Sequence, residues 1–394
     1  MNIDSIRAVQ VGGTLEHEGE FWEDRLVRPT DLYEPHRQGG PRTLPKLGEG
    51  RYRIDAVFLE IEAEGVVGRA GPIGEALAQS ILQQFKPLLM GEDARATERI
   101  WDLMYRSAVH GRKGPTMMAI SAIDCALWDL KGKALDQPVC RLLGGPTRES
   151  IPAYASTLGF SVEPADVARR AAAFAAAGYR AQKWFFKRGP ADGKAGMEQN
   201  EILVRTVREA AGDDADIMFD AWMSWDPDYA LAMARRLERY NVRWIEEPLL
   251  PDKIAATAGI RRRSPVPIAA GEHEYTRWGI QLLIDAAACD VIQADTYWAG
   301  GISEMRKICA LASVAEVPVI PHGHSVPANT HLIASQPPNL CPMAEDLIKW
   351  NQIHEFFLRD PVVRDHGSLR LPATPGLGME LDESRIETRT VLAG

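Results

Sequence analysis

The chain has no run of about eighteen apolar residues, which excludes a membrane-spanning helix. Its opening, MNIDSIRAVQ, carries an acid and alternates like a strand, unlike a secretory signal, so the cytoplasm is the expected location. Basic residues are in deficit: 45 Lys and Arg stand against 54 Asp and Glu, a net charge of -9. That balance argues against nucleic acid or an anionic membrane as a main partner, since both need a basic surface. Cysteine is scarce and scattered. Cys125, Cys140, Cys289, Cys309 and Cys341 are odd in number and form no CxxC pair, so neither a disulfide framework nor a thiolate zinc site is expected, and they read as buried and inert. What remains is an ordinary globular composition, 45% hydrophobic and 25% charged, with a small molecule as the default partner. At 394 residues there is room for two domains, or for one barrel with an added domain.

Two segments, residues 3 to 13 and 53 to 64, read as strands, the second alternating in RIDAVFLEIEAE. Residues 14 to 52 between them are rich in Pro, Gly and Arg and longer than an idle loop, which fits either a lid over a site or plain disorder. From Gly74 to Leu143 the pattern is helical, and LLGGP then supplies a stop. From Ile151 onward strand and helix alternate eight times, with strands expected to begin near Ile151, Arg180, Asp216, Arg243, Pro267, Asp290, Val317 and Cys341. Eight alternations predict an α/β fold, a (β/α)8-type barrel over residues 146–346. Residues 1–145 form a first α+β domain. The tail, 347–394, breaks the alternation and is expected to pack back on that first domain.

Five of these strand segments end in a polar group: Asp220 in IMFDA, Glu246 in WIEEP, Glu272 in AAGE, Asp295 in IQAD and His322 in VIPHGH. Strand ends of a barrel converge on one face, where the active site of that fold lies. Three carboxylates on neighbouring strands conflict, because two like charges about 4 Å apart repel by about 4 kcal/mol at an effective dielectric of about 20. A divalent cation removes the conflict. All-oxygen ligation by Asp220, Glu246 and Glu272 favours a hard ion, Mg²⁺ most of all. The competing reading is three separate salt bridges, which the matched spacing disfavours. Asp295 can hold one nitrogen of His322 and leave the other free as a general base near neutral pH. Taken alone, they also read as a core histidine and a helix N-cap. Glu345, at the end of CPMAE, either hydrogen-bonds a developing oxyanion or caps the barrel. In AQKWFFKRG, alternation puts Lys183, Phe185 and Lys187 on one strand face, with Lys183 pointing into the site.

These residues, together with SAIDCALWDLKGKALDQPVCRLLGG, resemble the enolase superfamily and its mandelate racemase subgroup in order and spacing over nearly the whole chain. The resemblance implies a capping domain, built from the N-terminal part and the C-terminal tail, that closes over the barrel. It also implies removal of the proton α to a carboxylate, giving an enediolate stabilised by Mg²⁺. Family racemases carry Lys-x-Lys on strand two; here Phe185 takes the second place. That leaves Lys183 for the substrate carboxylate and His322 as the one clear base. KWFFKRGPADG, FDAWMSWD and GEHE are similar to the rhamnonate dehydratase branch, which implies dehydration of an aldonate or aldarate to a 2-keto-3-deoxy acid. A homo-oligomer is the expected assembly. By the same resemblance, His36 and Arg53 are candidates for contact with distal hydroxyls, against a bland reading as a solvated loop histidine and an edge arginine. His273 and His324 are candidates beside Glu272 and His322, and Trp222 and Trp298 are candidate pocket walls.

Two alternatives stand beside dehydration. One is racemisation, epimerisation or cycloisomerisation, with Lys187 reaching back along the strand as a second base. The other is a non-catalytic sugar-acid-binding protein, disfavoured because ligands, dyad and Lys183 are all present.

Overall fold

The computed structural model describes residues 1–394. The first sheet is built from β1 (Ser5–Glu16), β2 (Lys46–Gly48), β3 (Arg51–Ala63) and β4 (Val66–Ile73). β1 and β3 pair antiparallel along their whole length, from Ser5 opposite Glu62 to Glu16 opposite Arg51. Their alternating apolar residues turn one sheet face onto the helix Pro115–Ala134, where Ile6, Leu59 and Ile61 join one core with Ile120, Ile123 and Leu127. That helix is buried almost all round, as its near-continuous apolar sequence requires. Of its two interior carboxylates, Asp129 is bonded through both oxygens, whereas Asp124 keeps a buried Oδ1 without a partner. Asp124 accepts from the backbone N–H of Ser303 at 2.9 Å, and Asp129 from those of Arg69 and Leu377. These bonds tie the helix to the barrel side and to the tail.

The barrel strands are β5 (Ser150–Ser156), β6 (Ala181–Phe185), β7 (Asp216–Asp220), β8 (Val242–Glu246), β9 (Ile268–Ala270), β10 (Val291–Ile292) and β11 (Ala344–Leu347). They pair in parallel in chain order from β5 to β10, and β11 closes on β5. The strand expected near Val317 is reduced to a single bridge between Val319 and Ile292. Pro318 and Pro321 flank it and supply no N–H, so a ladder cannot extend there. The ring is completed by Val319 N–H donating to Leu340 O at 2.8 Å.

The tail differs from its expected simple return to the first domain. It starts with a helix, Ile348–His354, and continues through β12 (Arg364–Asp365) and β13 (Ser368–Arg370). β13 pairs antiparallel with β5 of the barrel. Only β14 (Thr388–Val391) joins the first sheet, beside β1. No helix is long and apolar enough to cross a membrane. All five cysteines are buried and free.

Candidate active site

The C-terminal ends of β6, β7, β8 and β11, with the turns after β9 and β10, bring the polar residues together. Asp220 and Glu246 are register partners across β7 and β8. Glu246 accepts from Lys183 Nζ at 2.5 Å and from Gln293 Nε2 at 2.8 Å. Lys183 Nζ also lies 2.8 Å from Glu345 Oε1 as an ion pair without directed hydrogen-bond geometry. The other oxygen of Glu345 accepts the N–H of Gly323 at 2.9 Å. A side chain at 323 would collide with Glu345 Cγ at 2.8 Å, so glycine is needed there for the approach. His322 places Nδ1 at 2.7 Å from Asp295 Oδ2 and Nε2 at 3.5 Å from Glu272 Oε1. Asp295 is itself held by Tyr297 N–H, and the His322 carbonyl by Asn329.

The charges are strongly coupled. Burial pushes Asp220 well above the usual carboxylate range, helped by Glu246 and Glu272. Burial likewise raises Glu272 to about 7, against the pull of His322 and His273. For Glu345 burial acts upward too, but Lys183 and His322 outweigh it and bring the carboxyl to about 2. For His322 burial favours the neutral form, yet Glu272, Asp295 and Glu345 outweigh it and raise the imidazole to about 10. The uncompensated charge of Glu272 is the largest of these upward causes, so a cation held by that carboxylate would bring the imidazole back toward its ordinary range.

Asp220, Glu246 and Glu272 do not form the tightest cluster of metal-capable groups. That cluster is Glu247, Glu272 and His273, whose ligand atoms lie within 4.8 Å of one another. Glu247, however, is already engaged: His273 Nδ1 lies 2.6 Å from its Oε2, and the N–H groups of Gly271 and His273 donate to Oε1. Asp220 accepts only the N–H of Trp222, so its carboxylate keeps free lone pairs.

A cavity of about 510 Å³ opens beside this cluster, lined by Glu272, His273, His322, His324, Trp222 and Trp298 from the barrel. Its other wall comes from residues 22–28, with Arg42 and, from the tail, Trp350 and His354. The long polar stretch is therefore ordered and supplies one wall of the cavity through Trp22, Asp24, Arg25, Leu26, Arg28 and Arg42. Two expected contacts are corrected. Arg53 stays on the first sheet, bonded to Asp55 at 3.0 Å and Thr388 at 2.6 Å, because its guanidinium crosses β1 over Gly12 to reach the tail strand beyond. His36 is exposed in the short helix Glu34–Arg37 and does not line the cavity; its backbone carbonyl accepts from Arg25 at 3.1 Å. Lys187 lies beyond the end of β6 and pairs with Asp24 at 2.8 Å. Sequence reasoning missed Gln293, Glu247, Arg28, Arg42, Trp350 and His354. For Gln293 a signal existed, directly after β10 and two residues before Asp295; the loop arginines lie in no periodic pattern.

Comparison with known proteins agrees with this architecture. Residues 166–385 match the enolase C-terminal domain-like family, and residues 50–144 match the mandelate racemase / muconate lactonizing enzyme N-terminal domain. The chain is 35% identical to an L-rhamnonate dehydratase from Saccharopolyspora erythraea, covering 97% of each. A Gibberella zeae rhamnonate dehydratase structure complexed with Mg is 32% identical, with a TM-score of 0.84 over 98% of this chain and 95% of that one. A 3,6-anhydro-D-galactonate cycloisomerase from Zobellia galactanivorans is 28% identical, with a TM-score of 0.79 over 98% of this chain and all 100% of that one. Matched in both its sheet-and-helix N-terminal part and its barrel, the chain belongs to the enolase superfamily, in the mandelate racemase / muconate lactonizing enzyme family.

Proposed function

We propose that this enzyme is a Mg²⁺-dependent sugar-acid dehydratase that takes the proton α to a carboxylate and expels the β-hydroxyl. The observation that carries this reading is the Asp295–His322 pair, 2.7 Å apart and facing the cavity, with no lysine base on the β6 side, where Phe185 is buried and Lys187 is held by Asp24; His273, paired with Glu247 at 2.6 Å, is read as a substrate contact. The 35% identity to an L-rhamnonate dehydratase supports it.

Asp220, Glu246 and Glu272 fit a hard divalent cation: all are buried oxygen donors, and the two whose carboxyls are raised are stressed by burial and mutual repulsion. When bound, Mg²⁺ supplies positive charge against the substrate carboxylate and cancels the Glu272 charge that holds His322 protonated. Lys183, between Glu246 and Glu345, orients the substrate carboxylate and keeps two buried acids compensated. His322 Nε2, as neutral imidazole, accepts the α-proton while Asp295 fixes the other nitrogen. The resulting imidazolium then donates that proton to the departing β-hydroxyl, so one residue performs both transfers on one face. His273, oriented by Glu247, and Trp222 line the cavity from the turns after β9 and β7, with Lys183 on β6 and Glu345 on β11 paired beneath it.

The similarity to a cycloisomerase keeps isomerisation as the second reading, since it uses the same first proton transfer. Screening four- to six-carbon aldonic and aldaric acids decides: a 2-keto-3-deoxy acid supports dehydration, whereas solvent deuterium entering the α-position without keto product supports isomerisation.

A further inference from the structure

Most charges along the cavity wall are neutralised within the protein. Asp24 pairs with Lys187 at 2.8 Å and Arg25 with Asp31 at 2.7 Å. Arg28 and Arg42 differ. Both line the cavity, and neither guanidinium has a carboxylate within ion-pair reach or a side-chain hydrogen bond. Arg42 lies over the ring of Trp350, 4.9 Å from its centroid. Arg42 is exposed at the cavity rim, where partial desolvation and then the neighbouring Arg28 disfavour its charge, so the two cations stand near one another.

Their place relative to the chemistry follows from a continuous wall of rings. From His322 the centroids step 5.1 Å to Trp298, 5.5 Å to His324, 4.6 Å to His354 and 5.3 Å to Trp350, where Arg42 stacks. The histidines in the middle add no charge, because burial keeps His324 and His354 in their neutral forms. His354 also has a buried Nδ1 without a partner, suited to a substrate hydroxyl. The cavity therefore runs from a proton-transfer end, across neutral polar rings, to a doubly cationic end. A planar fork of donors with no internal acceptor is suited to a carboxylate or phosphate and is poorly satisfied by a terminal CH₂OH.

We propose that Arg28 and Arg42 form a second anion subsite, so that the acid taken up is doubly charged: a sugar diacid, or a sugar acid phosphorylated at its far end. This deepens the dehydratase reading and rests on it for the placement of the first carboxylate.

The test is calorimetric titration of the full-length protein with Mg²⁺ present. The probes are four- to six-carbon aldonates, the aldarates of the same configuration and the corresponding terminal phosphates. Doubly charged members should bind about tenfold to a hundredfold more tightly than their aldonate partners, as a charge-assisted pair implies. Arg28→Gln and Arg42→Gln should each cut that ratio, and the double variant should abolish it. Arg42→Lys should recover only part, keeping charge without the fork. The aldarate and phosphate arms tell which anion is read. Equal binding within each set, a ratio that survives in the double variant, or no binding by any doubly charged acid would overturn the proposal. Keto-acid formation is followed in parallel. Product from aldonates without a charge preference would remove the subsite and leave dehydration standing, whereas a preference lost in the arginine variants without product from any acid would do the reverse.

Discussion

Lys183 Nζ lies 2.5 Å from Glu246 Oε1, and both side chains are almost wholly removed from solvent. The same ammonium is 2.8 Å from Glu345, so one cation compensates two buried acids. Breaking a buried pair leaves an uncompensated charge, which costs about 3–5 kcal/mol. Lys183→Ala should therefore lose stability on that scale as well as turnover. Mg²⁺ should then raise its melting temperature more than that of the wild type, because a cation near Glu246 replaces the missing charge. Thermal denaturation of both proteins with and without Mg²⁺ checks this, and equal shifts would mean that Lys183 does not serve Glu246.

The cation site itself makes a second prediction. Glu246→Gln and Asp220→Asn keep volume but lose ligand charge, so both should abolish turnover in a folded barrel, and EDTA should do so reversibly in the wild type. Glu272→Gln should lose most of the Mg²⁺-dependent rise in melting temperature. Undiminished activity after exhaustive chelation would remove the metal from the mechanism.

The strand ends that carry chemistry were legible because a parallel barrel repeats: a short apolar run sets each strand, and the first polar residue after it emerges on one face. Asp220, Glu246, Glu272, Asp295 and His322 follow that rule and meet in the structure. The seventh strand misleads, since VPVI has strand composition while its prolines block a ladder. Loop residues carry no such period. Arg53 belongs to a strand whose register sends it to the tail, and Arg28 and Arg42 reach the cavity by a path that only the folded segment 22–42 defines. The charge state of His322 was equally hidden, because it depends on Glu272 and Glu345 from other strands.

His331 gives a prediction about stability and pH away from the active site. It is fully buried, its Nδ1 accepts from Cys140 N–H at 3.1 Å, and burial lowers it from 6.5 to about 4. Between those values the unfolded chain binds a proton that the fold does not, so this group's contribution is lost as pH falls from about 6.5 and levels off near 4. The full effect is about 3 kcal/mol. Asp124, raised by burial to about 7, has the opposite slope, with stability lost as pH rises toward 7. The measurement is therefore a difference: urea unfolding of wild type and His331→Gln at pH 7.5 and 4.5. The stability gap between them should narrow or reverse at the lower pH; parallel behaviour would show that His331 is not held neutral.

The single-base arrangement makes the most discriminating claim. His322 and His273 both line the cavity with a carboxylate behind Nδ1, Asp295 and Glu247 respectively, while Lys187 is tied to Asp24 past the end of β6; the proposed mechanism gives the proton transfers to His322. His322→Asn should lose α-proton exchange and dehydration together, by about a hundredfold to ten-thousandfold, because one group performs both transfers. Lys187→Ala should leave exchange nearly intact and act on KM, since it releases Asp24 at the cavity wall. Asp295→Asn should fall between them: the imidazole stays, but its tautomer and basicity are no longer fixed. In deuterium oxide the wild type should yield keto acid without racemising recovered substrate. If His322→Asn still exchanges the α-proton, a second base operates, and Lys187→Ala in that background identifies it. Loss of the residual exchange in the double variant would put isomerisation ahead of dehydration.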